Sequence, residues 1–297
     1  MAYRVQHVIE YGVLRFFAFV VQALPYRVAL FFGWLHAWPA HFVFRFRTAE
    51  AQRRIRLVLG DGVSRREAAR IAWISWRNTV FNAVDAIRMG RVSRAWMERM
   101  SDHAEAAAIL QEHARSGRGA VIAVPHMGSW ELTAVFCRLY AFPVFSIAAQ
   151  QKNPLVDGYL NRLRGAPGDT IARGAGTLKQ ILRRLEKGGF LAILPDVRMR
   201  TEGLPVAFLG GTANLGKGMA SFARHANVPI FPCIVTRRGW AHHAVRMREP
   251  VVPEPTLEKE ADIRRMTELV VRYIDEAIRR EPEQWFWYNK RWVLDPL

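Results

Sequence analysis

Four short, largely apolar runs recur from residue 120 onward: 120–125 (AVIAVP), 143–148 (PVFSIA), 190–195 (FLAILP) and 229–236 (PIFPCIVT). Runs of this length without polar alternation read as strands buried on both faces. Helix-like segments lie between them, at 130–141, 153–164, 176–187 and 214–226, and a last one runs over 260–280. Strands alternating with helices build a mostly parallel or mixed sheet flanked by helices, so the expected fold class is α/β. A further strand is expected at 242–248. Upstream, Ile71, Ile74, Phe81, Val84 and Ile87 recur at helical spacing within 64–89, and Ser64 with Glu67 forms a capping box at its start. Residues 93–116 also read as one helix, ending at Gly117. Ligands in such sheets bind beyond the carboxyl ends of the strands. The chemistry is therefore expected just after the apolar runs.

The 297 residues divide into an N-terminal membrane-associating helical segment, 1–47, and a catalytic domain, 48–297. Within the first, residues 28–44 hold no Asp, Glu, Lys or Arg. Seventeen residues are few for a spanning helix, which needs about 20. Trp34 and Trp38, followed by Arg45, Arg47, Arg53, Arg54 and Arg56, suit a helix lying in the interface of an anionic leaflet. Arg15 and Arg27 interrupt the apolar start, which does not read as a signal peptide. Forty-three Lys and Arg against 26 Asp and Glu give a net charge of +17, which attracts anionic lipid or an acidic carrier protein. No zinc-finger spacing, RNA-recognition signature or long basic tract supports nucleic acid as the partner. Cys137 and Cys233 each sit in apolar surroundings and read as buried thiols, and no metal-ligand spacing is present.

The first buried run leads into Pro125-His126-Met127-Gly128-Ser129-Trp130-Glu131. His126 stands at the strand's end, Glu131 opens the next helix, and Gly128 permits a tight turn between them. A lone histidine beside a strand is ordinarily structural. A histidine with a carboxylate folded back onto it suits general-base catalysis: neutral imidazole takes the proton of a weakly acidic hydroxyl, and the carboxylate fixes its tautomer. No Gly-x-Ser-x-Gly elbow is present, which argues against an acyl-enzyme. Amides at the helix start are candidate oxyanion donors.

His-x4-Glu within HMGSWEL resembles the glycerolipid acyltransferase superfamily, and more narrowly the bacterial lipid A biosynthesis (late) acyltransferase family. The likeness extends in order through LPYRVALFFGWL (24–35), NPLVDGYLNRLRG (153–165), Arg173-Gly174, FLAILPD (190–196), VAFLGG (206–211) and PEQWFWYNKRW (282–292). It implies an acyltransferase that takes a fatty acyl chain from acyl carrier protein or coenzyme A and places it on a hydroxyl of a membrane lipid, a lipid A precursor first of all. His126 would be the base and Glu131 its orienting partner, with no cofactor or metal, at the cytoplasmic face of the inner membrane. Two blocks depart from the family pattern: Val197-Arg198-Met199-Arg200 after Asp196, and Leu209-Gly210-Gly211 where Phe-Gly is usual. These departures bear on the acceptor. Another lysolipid (phospholipid, glycolipid or amino-acid lipid) is the alternative, and a non-catalytic basic membrane-binding protein is the rival from outside enzymology.

Other residues carry paired readings. Arg173 is a phosphate clamp or a solvated arginine. Asp196 orients Arg173 or a substrate hydroxyl, or caps a turn. Gly210 and Gly211 with Lys217 form a phosphate cradle or an ordinary turn. Lys152 and Asn153 flank the cleft mouth. The WFWY run at 285–288 is read as a docked apolar C-terminal segment in preference to an acyl-chain wall.

Overall fold

The computed structural model describes residues 3–148, 151–164, 170–172, 174 and 176–295. In chain order the helices are α1 (Val5–Ala23), α2 (Tyr26–Phe42), α3 (Thr48–Leu59), α4 (Arg65–Arg88), α5 (Arg94–Met100), α6 (Ala104–Arg115), α7 (Leu132–Leu139), α8 (Pro154–Arg164), α9 (Thr177–Glu186), α10 (Gly218–Ala226) and α11 (Lys259–Arg280). The strands are β1 (Ser101–Asp102), β2 (Ala120–Ala123), β3 (Val144–Ala148), β4 (Thr170–Ala172), β5 (Phe190–Ile193), β6 (Leu204–Phe208), β7 (Gly211–Leu215), β8 (Ile230–Arg238) and β9 (His242–Met247).

Seven strands form one sheet in the order β1-β9-β8-β2-β5-β3-β4, and β6-β7 is a separate hairpin. All sheet neighbours are parallel except β8 and β9. The fold is α/β, with helices on both faces. Strand β2 shows why its run is continuously apolar. Val121 and Ala123 enter a core shared with α3, α4, α9, α10 and α11. Ala120 and Ile122 enter a second core with α6, α7 and β8.

Two local expectations change. The stretch 93–116 is two helices, because Ser101 and Asp102 turn extended and pair with β9. Asp102 there meets Arg238 and His242, at 2.8 and 3.0 Å. The segment 214–226 begins as strand β7, and its helix starts only at Gly218. The basic stretch after the N-terminal segment is helix α3, packed by Ala51, Ile55 and Val58. The Ser64 cap forms as expected, its Oγ accepting from Glu67 N at 3.1 Å.

Helices α1 and α2 meet at Leu24–Pro25 and rest on α4. Leu30, Phe81 and Val84 make the contact, and Gly33 lets the helices approach. Their other faces are exposed and apolar, with Phe19 at 71% and Phe44, just beyond α2, at 79%. No helix among the described residues is long and apolar enough to cross a membrane.

Candidate active site

Strands β2 and β5 are parallel neighbours, with Ala123 paired to Ile193. Each continues three residues past that pair, to His126 and Asp196. Equal overhang from adjacent strands sets the two side chains together. Asp196 Oδ1 accepts from His126 Nδ1 at 2.9 Å, and Oδ2 accepts from the His126 amide at 2.8 Å. Oδ2 also accepts from Trp285 Nε1 at 2.8 Å. The carboxylate that holds the ring is thus Asp196, from the next strand, not Glu131, five residues along.

The Asp196 side chain is buried, whereas the imidazole is 27% exposed. Burial would raise the Asp196 pKa. The His126 charge, the ring hydrogen bond, the Trp285 indole and the His126 amide outweigh it, and the pKa is lowered. For His126, burial opposes protonation, but the charge and hydrogen bond of Asp196, with a further push from Glu131, raise the pKa. With Nδ1–H held by Asp196, the lone pair lies on Nε2. Trp130 packs edge-on against the ring, 5.1 Å between centroids.

The turn carrying His126 is clamped from behind. Gly128 adopts φ +47°, and the Cβ of any other residue there would lie 2.3 Å from the Val235 carbonyl oxygen. Gly128 N donates to Gln284 O at 2.8 Å, and Asn82 Nδ2 donates to the Gly128 carbonyl. Ser129 Oγ donates to buried Asp85 at 2.8 Å, so the one serine of the turn is tied down. Asp85 in turn pairs with buried Arg237 and accepts from Tyr26 Oη at 2.9 Å. Its own burial disfavours the charge, yet Arg237 above all keeps its pKa low. The amides of Gly128, Leu132 and Thr133 already donate to backbone carbonyls, which removes them as oxyanion donors.

These supports went unread in the sequence, although a signal was present. Ser75, Asn78, Asn82 and Asp85 form a polar stripe at helical spacing on the otherwise apolar buried face of α4. The stripe grips the two segments of the site. Ser75 donates to Trp285 O, Asn78 to Glu283 O, Asn82 to Gly128 O, and Asp85 takes Ser129.

His126 opens onto a cleft of about 1360 Å³. Ordinary small-ligand sites hold about 300–1,000 Å³, so the space admits something longer. Val144, Phe145, Ile147, Leu178, Ile181 and Ile193 give it an apolar wall. Arg138, Arg198, Arg200, Lys217 and Arg291 line it too, against the acids Glu131 and Glu202. No group of three or more metal-ligating side chains occurs among the described residues.

The remaining candidates separate. Glu131 is the N-cap residue of α7, lines the cleft and acts on His126 by charge. Lys217 lines the cleft, with Nζ 3.1 Å from Glu260. Gly210 and Gly211 do not line it. They lie at the β6–β7 turn, where Leu209 and Gly210 both have positive φ, and face Arg279 and Leu294. The positive φ of Gly210 serves the hairpin turn, and Gly211 pairs with Phe208 as the first residue of β7. Arg173 lies outside the described residues. Asn153 is buried and structural: its Nδ2 donates to His7 O and to Glu10, tying α1 to the start of α8. Trp285, Trp287 and Tyr288 are buried, as a docked C-terminal segment requires.

Comparison with known proteins adds to this geometry. The family profile for bacterial lipid A biosynthesis acyltransferase matches residues 3–293. Phosphatidylinositol mannoside acyltransferase of Mycolicibacterium smegmatis is 23% identical over 186 residues, covering 61% of this chain and 59% of the relative. The protein of that name from Mycobacterium tuberculosis H37Rv is 20% identical over 188 residues, covering 61% and 56%. The chain therefore matches less than two thirds of either relative's length.

Proposed function

Because the chain belongs to the bacterial lipid A biosynthesis acyltransferase family, we propose that it transfers a fatty acyl group from a thioester of acyl carrier protein or coenzyme A to a hydroxyl of a membrane lipid. The carboxylate-held His126, lining a large cleft with one apolar wall, carries this reading. Nε2 of His126 takes the acceptor's hydroxyl proton as its oxygen bonds to the thioester carbonyl carbon. The C–O bond forms, the C–S bond breaks as the tetrahedral intermediate collapses, and the imidazolium returns the proton to the departing thiolate. Asp196 stabilises the transient imidazolium and keeps the ring aimed. Glu131 adds a second negative charge at the same site. The cleft cations supply positive potential for the oxyanion and for phosphates of donor or acceptor. Ser129, held by Asp85, takes no part as a nucleophile, so transfer is direct.

The acceptor is a membrane glycolipid in this reading, with a lipid A precursor as the leading choice. The mycobacterial relatives bear the name of a different glycolipid, and a phosphorylated lipid with a free sugar hydroxyl unites the two. The exposed apolar faces of α1 and α2, beside the basic α3, suit residence at the cytoplasmic face of the inner membrane. Incubating purified enzyme with a labelled acyl thioester and extracted membrane lipid tests the proposal. His126→Ala should abolish transfer while the fold persists, and Asp196→Asn should lower kcat by about 10²–10⁴ through loss of the correct tautomer. Turnover retained in folded His126→Ala would sink it. Mass spectrometry of membrane lipids with and without the gene identifies the acceptor.

A further inference from the structure

Trp285 touches both halves of the site. Its backbone forms a bridge with Met127, the residue after His126, and its indole N–H reaches Asp196 Oδ2 at 2.8 Å. The ring is fixed before it makes that bond. Ser75 holds the Trp285 carbonyl from the polar stripe of α4. Trp287 stands at right angles to the indole, 4.9 Å away, and Trp292 packs at 5.8 Å. These ring contacts are apolar and would be largely satisfied by phenylalanine. The N–H would not, since its one partner is a carboxylate sealed from solvent. Without it, Oδ2 keeps only the His126 amide.

We infer that Trp285 is a positioning residue for acyl transfer: its indole N–H keeps Asp196 turned and ionised, so that Oδ1 meets His126 Nδ1. This rests on the reading of His126 as general base. A donor to an ionised carboxylate favours the charged form, so removing it raises the proton affinity of the His126–Asp196 pair. The pair then takes up its proton at higher pH, and the acid limb of the rate profile moves up. The other charges near the pair are Glu131 and the cleft residues Arg138, Arg198, Arg200, Glu202, Lys217 and Arg291, all unaltered by the change.

The test is Trp285→Phe, with kcat and KM for a labelled acyl thioester followed across pH. The expected result is a fall in kcat of about ten-fold or more, KM within about two-fold, and an acid limb moved up by about one pH unit. In an Asp196→Asn background the same substitution should add little, because Trp285 acts through that carboxylate. A residue needed only for packing would lower stability and leave the limb in place. Should Trp285→Phe fail to fold, replacing Trp285 by benzothienylalanine keeps the two-ring shape and removes only the N–H, with the same expectations. A folded variant of either kind with unchanged kcat and acid limb overturns the inference, as does a full additive effect on Asp196→Asn. His126→Ala run alongside separates the failures. Loss of turnover there with a silent Trp285 variant refutes only the role of the indole, whereas retained turnover refutes the general-base reading itself.

Discussion

Replacing Gly128 by alanine probes how tightly the catalytic turn is held. The new Cβ would lie 2.3 Å from Val235 O and 2.8 Å from Thr236 Cα, both backbone atoms of the central strand β8. Ordinary contact begins at 3.4 Å, so the turn must withdraw by about 1 Å. Holding alanine at φ +47° costs about 1–2 kcal/mol. Withdrawal also stretches two buried hydrogen bonds, from Gly128 N to Gln284 and from Asn82 to Gly128 O, at about 1 kcal/mol or more each. The total is about 3–5 kcal/mol, a large share of the roughly 5–15 kcal/mol available to a folded domain. A shift of about 1 Å in a catalytic group costs about 10²-fold in rate. Gly117→Ala is the control: it has φ +67° and no atom within 4 Å of the added Cβ, so it bears the strain of a positive φ without the clash. Thermal melts and initial rates on a labelled thioester compare the two. Gly128→Ala should melt roughly 10 °C below the parent with kcat down about 100-fold, while Gly117→Ala loses a few degrees and keeps its rate. Equal melting and equal rates for the two variants would refute the clamped-turn argument.

Acid should weaken the fold through buried neutral histidines. Burial lowers the pKa of His41 to about 4 and of His243 to about 3. Both stay neutral in the folded chain while an unfolded histidine protonates near 6.5, so stability is full above that value and falls as pH drops towards the folded pKa. By pH 5 each costs up to about 2 kcal/mol, read as a lower urea midpoint, and His243→Gln should lessen the pH 7-to-5 decline by up to that amount. An unaltered decline in that variant would count against the assignment. At the N-terminal face, Phe19→Asp with Phe44→Asp should weaken sedimentation with phosphatidylglycerol vesicles by at least ten-fold and leave turnover of a detergent-dispersed acceptor intact, since each exposed phenylalanine would contribute about 1.5–3 kcal/mol when inserted. Undiminished binding would remove those helices from the lipid contact.

The architecture was legible because its signals are local. The run AVIA at 120–123 carries no polar residue, so both its faces must be covered, and His126 and Asp196 each follow such a run. Their pairing was not legible. A bond across 70 residues depends on β5 lying beside β2, which chain order does not dictate, whereas Glu131 lies near in sequence and attracts the role. The glycine at 210 is ambiguous for a related reason: positive φ suits a phosphate loop and the two-residue hairpin turn of Leu209 and Gly210 equally well. On α4 the apolar positions carry the helical signal, and no role was read for the four polar residues among them, although all four hold the turn or the segment around Trp285 that braces it.

The indole bound to Asp196 also sets a schedule for biosynthesis. Eighty-nine residues separate the two partners. At ordinary ribosomal speeds of about 5–20 residues per second, the carboxylate leaves the peptidyl transferase centre roughly 5–20 seconds before its tryptophan is made. Through that interval the acid lacks its last donor, and the site is complete only once residues 282–292 fold back against Met127 and Asp196.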